Sequence, residues 1–227
     1  MLGMTLLILA SALWVAVHVG IAGTAVRGRI VAVTGEGGFR IGYSILSVVA
    51  IVLLFQAWGV APVVPLWFAP DWLRWLLALA MLPVFVLFVA SVATPNPTGV
   101  VGKLGEAGPV GIQRVTRHPM MCSFALWGVI HLIGKGTLGG VFLFGAFVVT
   151  ALVGMPSIDR KLAVRDPAVW ARLAPTTSII PFKAILGGRN RLVLSEIPRF
   201  VWIVAAVAWL VMLIAHPWIF GYPAVIF

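Results

Sequence analysis

Residues 119–155 read PMMCSFALWGVIHLI, then GKGT, then LGGVFLFGAFVVTALVGM, and this stretch decides the fold class. It consists of two apolar runs, 119–133 and 138–155, joined by only four residues. A transmembrane helix needs about 17 to 25 mostly apolar residues, so the second run is long enough and the first is short. Because so short a link makes consecutive helices antiparallel neighbours, the stretch predicts a transmembrane helical hairpin.

The same hydropathy pattern recurs along the whole chain. It predicts an all-α integral membrane bundle of about six transmembrane helices in a single domain, residues 1–227. No Lys or Arg precedes the first apolar run, so we expect a retained helix and not a cleaved signal peptide. The expected spans are Thr5–Gly23, Ile41–Val63, Leu73–Ala93, Pro119–Ile133, Leu138–Met155 and Phe200–Phe220.

The composition excludes a soluble domain. Of the 227 residues, 62% are hydrophobic and 10% are charged, and the mean hydropathy is +1.11. Ordinary soluble domains carry about a quarter charged residues. The net charge of +10 fits loops that set membrane topology. It does not indicate a nucleic-acid surface, because no basic run is interleaved with aromatic residues for base stacking.

The distribution of basic residues predicts the orientation. Fourteen of the 16 Lys and Arg residues fall within residues 24–40, 95–117 and 157–199, which are alternate connections between the spans. The other two, Arg74 and Lys135, fall in the remaining connections. Since Lys and Arg accumulate in cytoplasmic loops, we expect both termini in the periplasm of a bacterial inner membrane.

The acidic residues are expected in loops or at span ends. A carboxylate inside a span is costly and marks a functional site, and none is expected here. This weighs against a proton-coupled transporter and against carboxylate acid–base catalysis at mid-membrane. The six are Glu36, Asp71, Glu106, Asp159, Asp166 and Glu196.

Two histidines are the strongest candidates for a site within the bundle. His18 and His131 each follow a tryptophan by four residues. Residues four apart share a helix face, so Trp14 lies with His18 and Trp127 with His131. Imidazoles from two helices can hold a flat, apolar haem, with tryptophan as part of the wall. The alternative is a chance pairing, with each histidine at the lipid interface of a helix end.

The motif Arg117-His118-Pro119 begins the fourth span. Pro is favoured at the first helical position because its missing N–H costs nothing there. The motif is either a helix start with basic headgroup anchors or a clamp for a phosphate, a propionate or a cofactor at a helix N-terminus. His118 and His131 are 13 residues apart, or about 140° around an ideal helix, so a shared site is not expected. His216 is expected to anchor the sixth span at the membrane interface.

Three stretches resemble the NnrU family of bacterial membrane proteins. They are GEGGFRIGYSILSVVAIVLLFQAW (35–58), PDWLR (70–74) and TRHPMMCSFALWGVIHLIGKGTLGGVFLFG (116–145). The likeness is best over residues 1–195, and residues 196–227 add a C-terminal span. NnrU-like proteins are associated with denitrification and nitric-oxide metabolism, so the resemblance implies a role there.

The same domain resembles 15-cis-zeta-carotene isomerase, a membrane haem-b enzyme that isomerises a polyene double bond. Carried over residue by residue, the resemblance implies haem b with His18 and His131 as iron ligands. The Arg-His-Pro of the isomerase matches Arg117, His118 and Pro119. The predicted cofactor-binding set is therefore His18, His131, His118, Arg117, Arg114, Trp14 and Trp127.

A more distant likeness is to the isoprenylcysteine carboxyl methyltransferases, which bind S-adenosylmethionine at the cytoplasmic end. The shared pattern is Arg-His-Pro before a hairpin, an acidic residue after it, and then WARLAP (170–175) ahead of Ile180-Pro181. Asp159 stands where that family has glutamate. Met121 and Ser123 stand where it has tyrosine and glycine.

Three functions stay open on the sequence. The leading prediction is a haem-b membrane protein that either isomerises a lipophilic polyene or assists nitric-oxide chemistry. The alternatives are a methyltransferase-like enzyme using S-adenosylmethionine and a non-enzymatic assembly factor for a respiratory complex. The expected partners are membrane lipid and a lipophilic small molecule that enters laterally from the bilayer, and no nucleic acid is expected.

The predicted orientation can be tested with reporter fusions. A fusion after Gly105 is expected to report the cytoplasm and a fusion after Phe227 the periplasm, because basic loops stay on the cytoplasmic side. If both fusions report the same side, the predicted topology is wrong.

Overall fold

The structure, a computed structural model, describes residues 1–99, 102, 104–105 and 108–225, so Lys103 and Glu106 lie outside the described residues. Within those ranges the chain is helical and has no β-strand, which confirms the predicted all-α class. The helices are α1 (Leu2–Val15, continued by a π-helical turn over Ala16–Ile21), α2 (Val26–Val60), α3 (Asp71–Ala93), α4 (Ile112–Val115), α5 (Pro119–Lys135), α6 (Leu138–Arg165), α7 (Pro167–Leu173), α8 (Lys183–Leu186) and α9 (Arg199–Phe220).

Five helical segments of the described chain are long and apolar enough to cross a membrane. They correspond to α1 with its π-helical turn, α2, α3, α6 and α9. The remaining predicted span is α5, which has 17 residues, at the lower limit for crossing a bilayer. The described residues therefore form a multi-pass helical membrane protein, with five long apolar helices and the shorter apolar helix α5.

Two predicted boundaries were wrong. Helix α2 begins at Val26 and not at Ile41, because residues 26–34 are also helical. Gly35, with φ 71° and ψ 168°, interrupts the helical backbone within this segment. Helix α6 continues past Met155 to Arg165 although Pro156 removes one backbone donor. By contrast, α9 matches the predicted sixth span closely.

The connections meet at two opposite ends of the bundle. At one end the backbone N–H of Arg117 donates to the carbonyl of Ser178 at 3.0 Å. At the other, Leu138 N–H donates to the carbonyl of Val64 at 2.9 Å. We call them the basic end (residues 22–25, 94–99, 108–118 and 157–199) and the far end (residues 61–70, 133–138 and 221–225). Which end faces the cytoplasm stays a prediction.

Helix α6 joins the two buried parts of the bundle. On one side it packs with α1 and α2 around Leu7, Leu54 and Leu143. Towards the basic end, Met155 of α6 packs with residues of α3, α5 and α9, including Cys122. Helix α9 packs on α3 and is otherwise largely exposed. The helices that carry the candidate functional residues are thus α5 and α6 at the centre of the bundle and α1 and α9 at its sides.

The hairpin turn between α5 and α6 depends on Gly136. This residue ends α5 in the left-handed conformation, with φ 59° and ψ 27°. Its carbonyl accepts hydrogen bonds from Leu66 N at 2.8 Å and Trp67 N at 3.1 Å. A Cβ at this position would collide with the carbonyl oxygen of Trp67. Glycine is therefore needed here both for its backbone angles and for the close approach of the 61–70 segment.

We expect Gly136→Ala to lower the thermal unfolding midpoint of the purified protein in detergent. The left-handed conformation alone costs an alanine about 1–2 kcal/mol, and the clash adds to it. Gly145→Ala is the control, since it lies within α6 and a Cβ there meets nothing within 4 Å. Similar midpoints for the two variants would contradict the described turn.

Candidate functional site

An aspartate, an arginine and a histidine form a buried cluster at the basic end. The carboxylate of Asp159 accepts hydrogen bonds from Arg117 Nε at 3.0 Å and Nη2 at 2.6 Å. It also lies 2.8 Å from Nε2 of His118. Residue exposure is 7% for Asp159 and 1% for His118. The expectation that every carboxylate lies in a loop or at a span end is wrong for Asp159, because α6 continues past Pro156 and carries it into the interior.

The cluster also contacts a third stretch of the chain, residues 170–180. Arg117 Nη1 donates to the carbonyl of Thr177 at 3.2 Å, and its guanidinium lies 5.4 Å from the centre of the Trp170 ring. Thr116 Oγ1 donates to the carbonyl of Ile179 at 2.8 Å. The Arg-His-Pro motif, Asp159 and the segment that contains WARLAP are therefore parts of one assembly.

The guanidinium nitrogens of Arg117 are occupied by protein acceptors, whereas Nδ1 of His118 is buried without a hydrogen-bond partner among the described residues. Arg117 uses Nε, Nη1 and Nη2 on Asp159 and Thr177. The His118 side chain is fully buried, so it does not anchor to lipid headgroups. Contact of Arg117 and His118 with a cofactor stays a prediction. In the structure they hold α5, α6 and residues 170–180 together.

Arg114 makes a separate pair with a different carboxylate. Its Nε lies 2.6 Å from Glu196 Oε2, and its Nη2 lies 2.8 Å from Oε1. The backbone N–H of Gly111 donates to the same carboxylate at 2.7 Å. The hydrogen bond from Arg114 lowers the pKa of Glu196, and the same bond raises the pKa of Arg114. The pair ties α4 to the segment that precedes α9, so Arg114 too has a protein partner.

The two candidate iron ligands have the same local geometry. Nδ1 of His18 lies 2.9 Å from the carbonyl of Trp14, and Nδ1 of His131 lies 2.9 Å from the carbonyl of Trp127. A carbonyl only accepts, so in both rings Nδ1 carries a proton, and in the neutral imidazole Nε2 then keeps its lone pair. A hydrogen bond from the non-ligating nitrogen to a carbonyl is the usual arrangement of metal-binding histidines. His18 also lies in the π-helical turn, a feature frequent at functional sites.

The structure does not bring His18 and His131 together. The Phe147 ring lies between their two tryptophans, 4.8 Å from Trp14 and 5.1 Å from Trp127. Each histidine packs against its own tryptophan, with ring centres 3.9 Å apart for His18 and 4.8 Å apart for His131. Ring contacts among the described residues do not join the two imidazoles.

His131 instead faces His216 of α9. The two ring centres are 6.5 Å apart, and the planes are inclined by 22°. Sequence reasoning placed His216 at the membrane interface and did not pair it with His131. The sequence did contain one signal for this pairing, the depth of the two residues in the membrane. Each lies within one and a half helical turns of the far end of its predicted span.

The donor set fits a haem better than a bare metal ion. Within the described parts of the chain, no group of three or more His, Cys, Asp or Glu side chains could hold a metal. Protein sites for bare zinc use three or four such ligands. A porphyrin supplies four nitrogens itself, so an imidazole with an available Nε2 is the type of ligand that its iron needs.

The family of the chain follows from its sequence as a whole. Residues 6–224 match the family described as NnrU protein, a range that covers the hairpin, the basic-end cluster and α9. The chain belongs to the NnrU protein family. No solved structure matches this NnrU-family chain.

Two curated plant proteins match part of the chain. The 15-cis-zeta-carotene isomerase (chloroplastic) of Zea mays is 34% identical over 82 residues, which are 36% of this chain and 22% of that protein. The 15-cis-zeta-carotene isomerase (chloroplastic) of Arabidopsis thaliana is 34% identical over 80 residues, 35% of this chain and 22% of that protein. The match thus spans about a fifth of the length of these relatives.

We expect Asp159→Ala to destabilise the protein strongly, because it leaves Arg117 buried without its carboxylate. Breaking a buried pair costs about 3–5 kcal/mol. The control is Glu36→Ala, which removes the Arg27–Glu36 pair, whose side chains are 36% and 45% exposed. Such exposed pairs contribute about 0–1 kcal/mol. Thermal unfolding in one detergent measures both, and equal shifts would contradict a structural role for Asp159.

Proposed function

We propose that this chain is a membrane haem-b protein that isomerises a lipophilic polyene, with His131 as an iron ligand. The observation that carries the proposal is the fixed imidazole of His131, whose Nδ1 bonds to the Trp127 carbonyl at 2.9 Å and leaves Nε2 available inside the bundle. Family membership and the partial likeness to two isomerases support an isomerase-like or NnrU-type role.

The residues around His131 suit such a group. The Trp127 ring lies 4.8 Å from the imidazole and the Phe144 ring lies 5.2 Å from it, so the ligand sits among aromatic walls that exclude water. A bound haem would supply one-electron redox chemistry. It would also supply a Lewis acid if one coordination position of its iron were open. The substrate reaches this region from the bilayer, since the flanking helices face lipid.

The first test is the visible spectrum of the purified protein in detergent. We expect a Soret band that shifts on reduction and a positive pyridine haemochrome assay. His131→Ala should lose or alter the band, because it removes a ligand to iron. Val129→Ala is the matched control, since it lies on the same helix but is 40% exposed on the lipid side. Colourless wild-type protein from haem-replete cells would overturn the proposal.

A second candidate is a methyltransferase-like function at the basic end. One observation favours it: Arg117, His118 and Asp159 form one cluster with residues 170–180, the segment that contains the WARLAP motif. Calorimetry with S-adenosylmethionine on the wild-type protein tests it. Saturable binding is the expected result for this candidate, and no heat at millimolar ligand would exclude it.

A further inference from the structure

We propose that His216, and not His18, is the second ligand that shares one iron with His131. This inference rests on the proposed haem function and specifies its site. It arises from the juxtaposition of two imidazoles on α5 and α9 at the far end, next to Arg74 and Lys135, the two basic residues outside the basic loops.

The first argument is the state of the ring nitrogens. Nδ1 of His216 lies 2.5 Å from the carbonyl of Tyr222 and must donate to it. In the neutral form of each ring, Nε2 of His216 and Nε2 of His131 keep the lone pair that a metal ligand needs. The two imidazoles, each held by a backbone carbonyl, lie with their ring centres 6.5 Å apart. A hydrogen bond from the other ring nitrogen to a carbonyl is the outer support that ligating histidines use.

The second argument is distance. A metal lies about 2 Å from each imidazole nitrogen, which places the centres of two opposed ligand rings about 6 Å apart. The observed separation of His131 and His216 is 6.5 Å, with nearly parallel rings. The ring contacts that connect His18 to His131 run through Trp14, Phe147 and Trp127. Pairing His18 with His131 on one iron would require these rings to move.

The third argument is access. Helices α5 and α9 both pack on α3, and contact between α5 and α9 themselves is at most marginal within the described residues. The lipid side of α9 is open, with Val211 57% and Ile214 59% exposed. A flat apolar macrocycle can therefore enter between α5 and α9 from the bilayer, with α3 behind it.

The fourth argument is charge, and it selects haem over a bare cation. Lys135 Nζ lies 3.9 Å from the centre of the Tyr222 ring, and Arg74 Nη2 donates to the carbonyl of Pro223 at 2.5 Å. Both cations thus lie beside the segment that holds His216. They disfavour a bare divalent ion and favour the two carboxylates of a haem. The acid of this end, Asp71, is exposed at the start of α3.

The test compares His216→Ala, His18→Ala and wild type as purified haem-loaded proteins, by visible and electron paramagnetic resonance spectra. We expect low-spin iron in wild type and in His18→Ala, and high-spin iron in His216→Ala that returns to low-spin on addition of free imidazole. His216→Met is the second variant, because methionine can replace histidine as a ligand and should give a distinct low-spin spectrum if His216→Ala does not fold.

The outcomes separate the inference from the function on which it rests. Low-spin iron in His216→Ala, with or without a change in His18→Ala, overturns the ligand assignment and leaves the haem function standing. Absence of haem from wild type overturns the proposed function itself.

The contacts of the two cations with the haem propionates are tested separately. We expect the Lys135→Ala and Arg74→Ala variants each to lose haem to a scavenger roughly tenfold faster than wild type, and Arg29→Ala to match wild type. Unchanged loss rates overturn the propionate contacts.

Discussion

The buried carboxylate of Asp159 is the group on which the basic end of the bundle depends. A lone carboxylate in this position would be costly, because the surroundings cannot replace its hydration. Arg117 and His118 supply the missing hydrogen bonds, and they do so from the first residues of α5. The start of α5, the last third of α6 and residues 170–180 are therefore fixed with respect to one another by a single charged group.

The same requirement explains the local geometry of the three other histidines. Each lies where lipid or protein offers few partners, and each satisfies Nδ1 with a backbone carbonyl: Trp14 for His18, Trp127 for His131 and Tyr222 for His216. In each ring, one nitrogen is thereby used in a structural hydrogen bond. The other stays available, so the structural need to satisfy a polar group also sets the orientation that a ligand would use.

The sequence predicted the features that depend on hydropathy and on short-range geometry. The α5–α6 hairpin and α9 follow from apolar runs and a four-residue link, and the structure has them. The continuation of α6 past Pro156 was missed, because polar residues end a hydropathy run without ending a helix. The burial of Asp159 was missed for the same reason.

The pairing of His131 with His216 was missed for a different reason. Helical periodicity tells which residues share a face of one helix, as it did for Trp127 and His131. It does not tell which faces of two helices meet. That depends on how α5 and α9 both pack on α3, a three-body arrangement that no local pattern encodes.

The length of α5 has a consequence for the lipid around the protein. Its 17 residues span about 25 Å, whereas the hydrocarbon core of a bilayer is about 30 Å thick. Phe124, Leu126 and Val129 face outward, so lipid lies directly against this short helix. The two leaflets must draw together there by several ångströms, at a small cost for each ångström of mismatch. The bundle therefore presents a thin sector on its α5 side, and thinner membranes or shorter acyl chains suit that sector best.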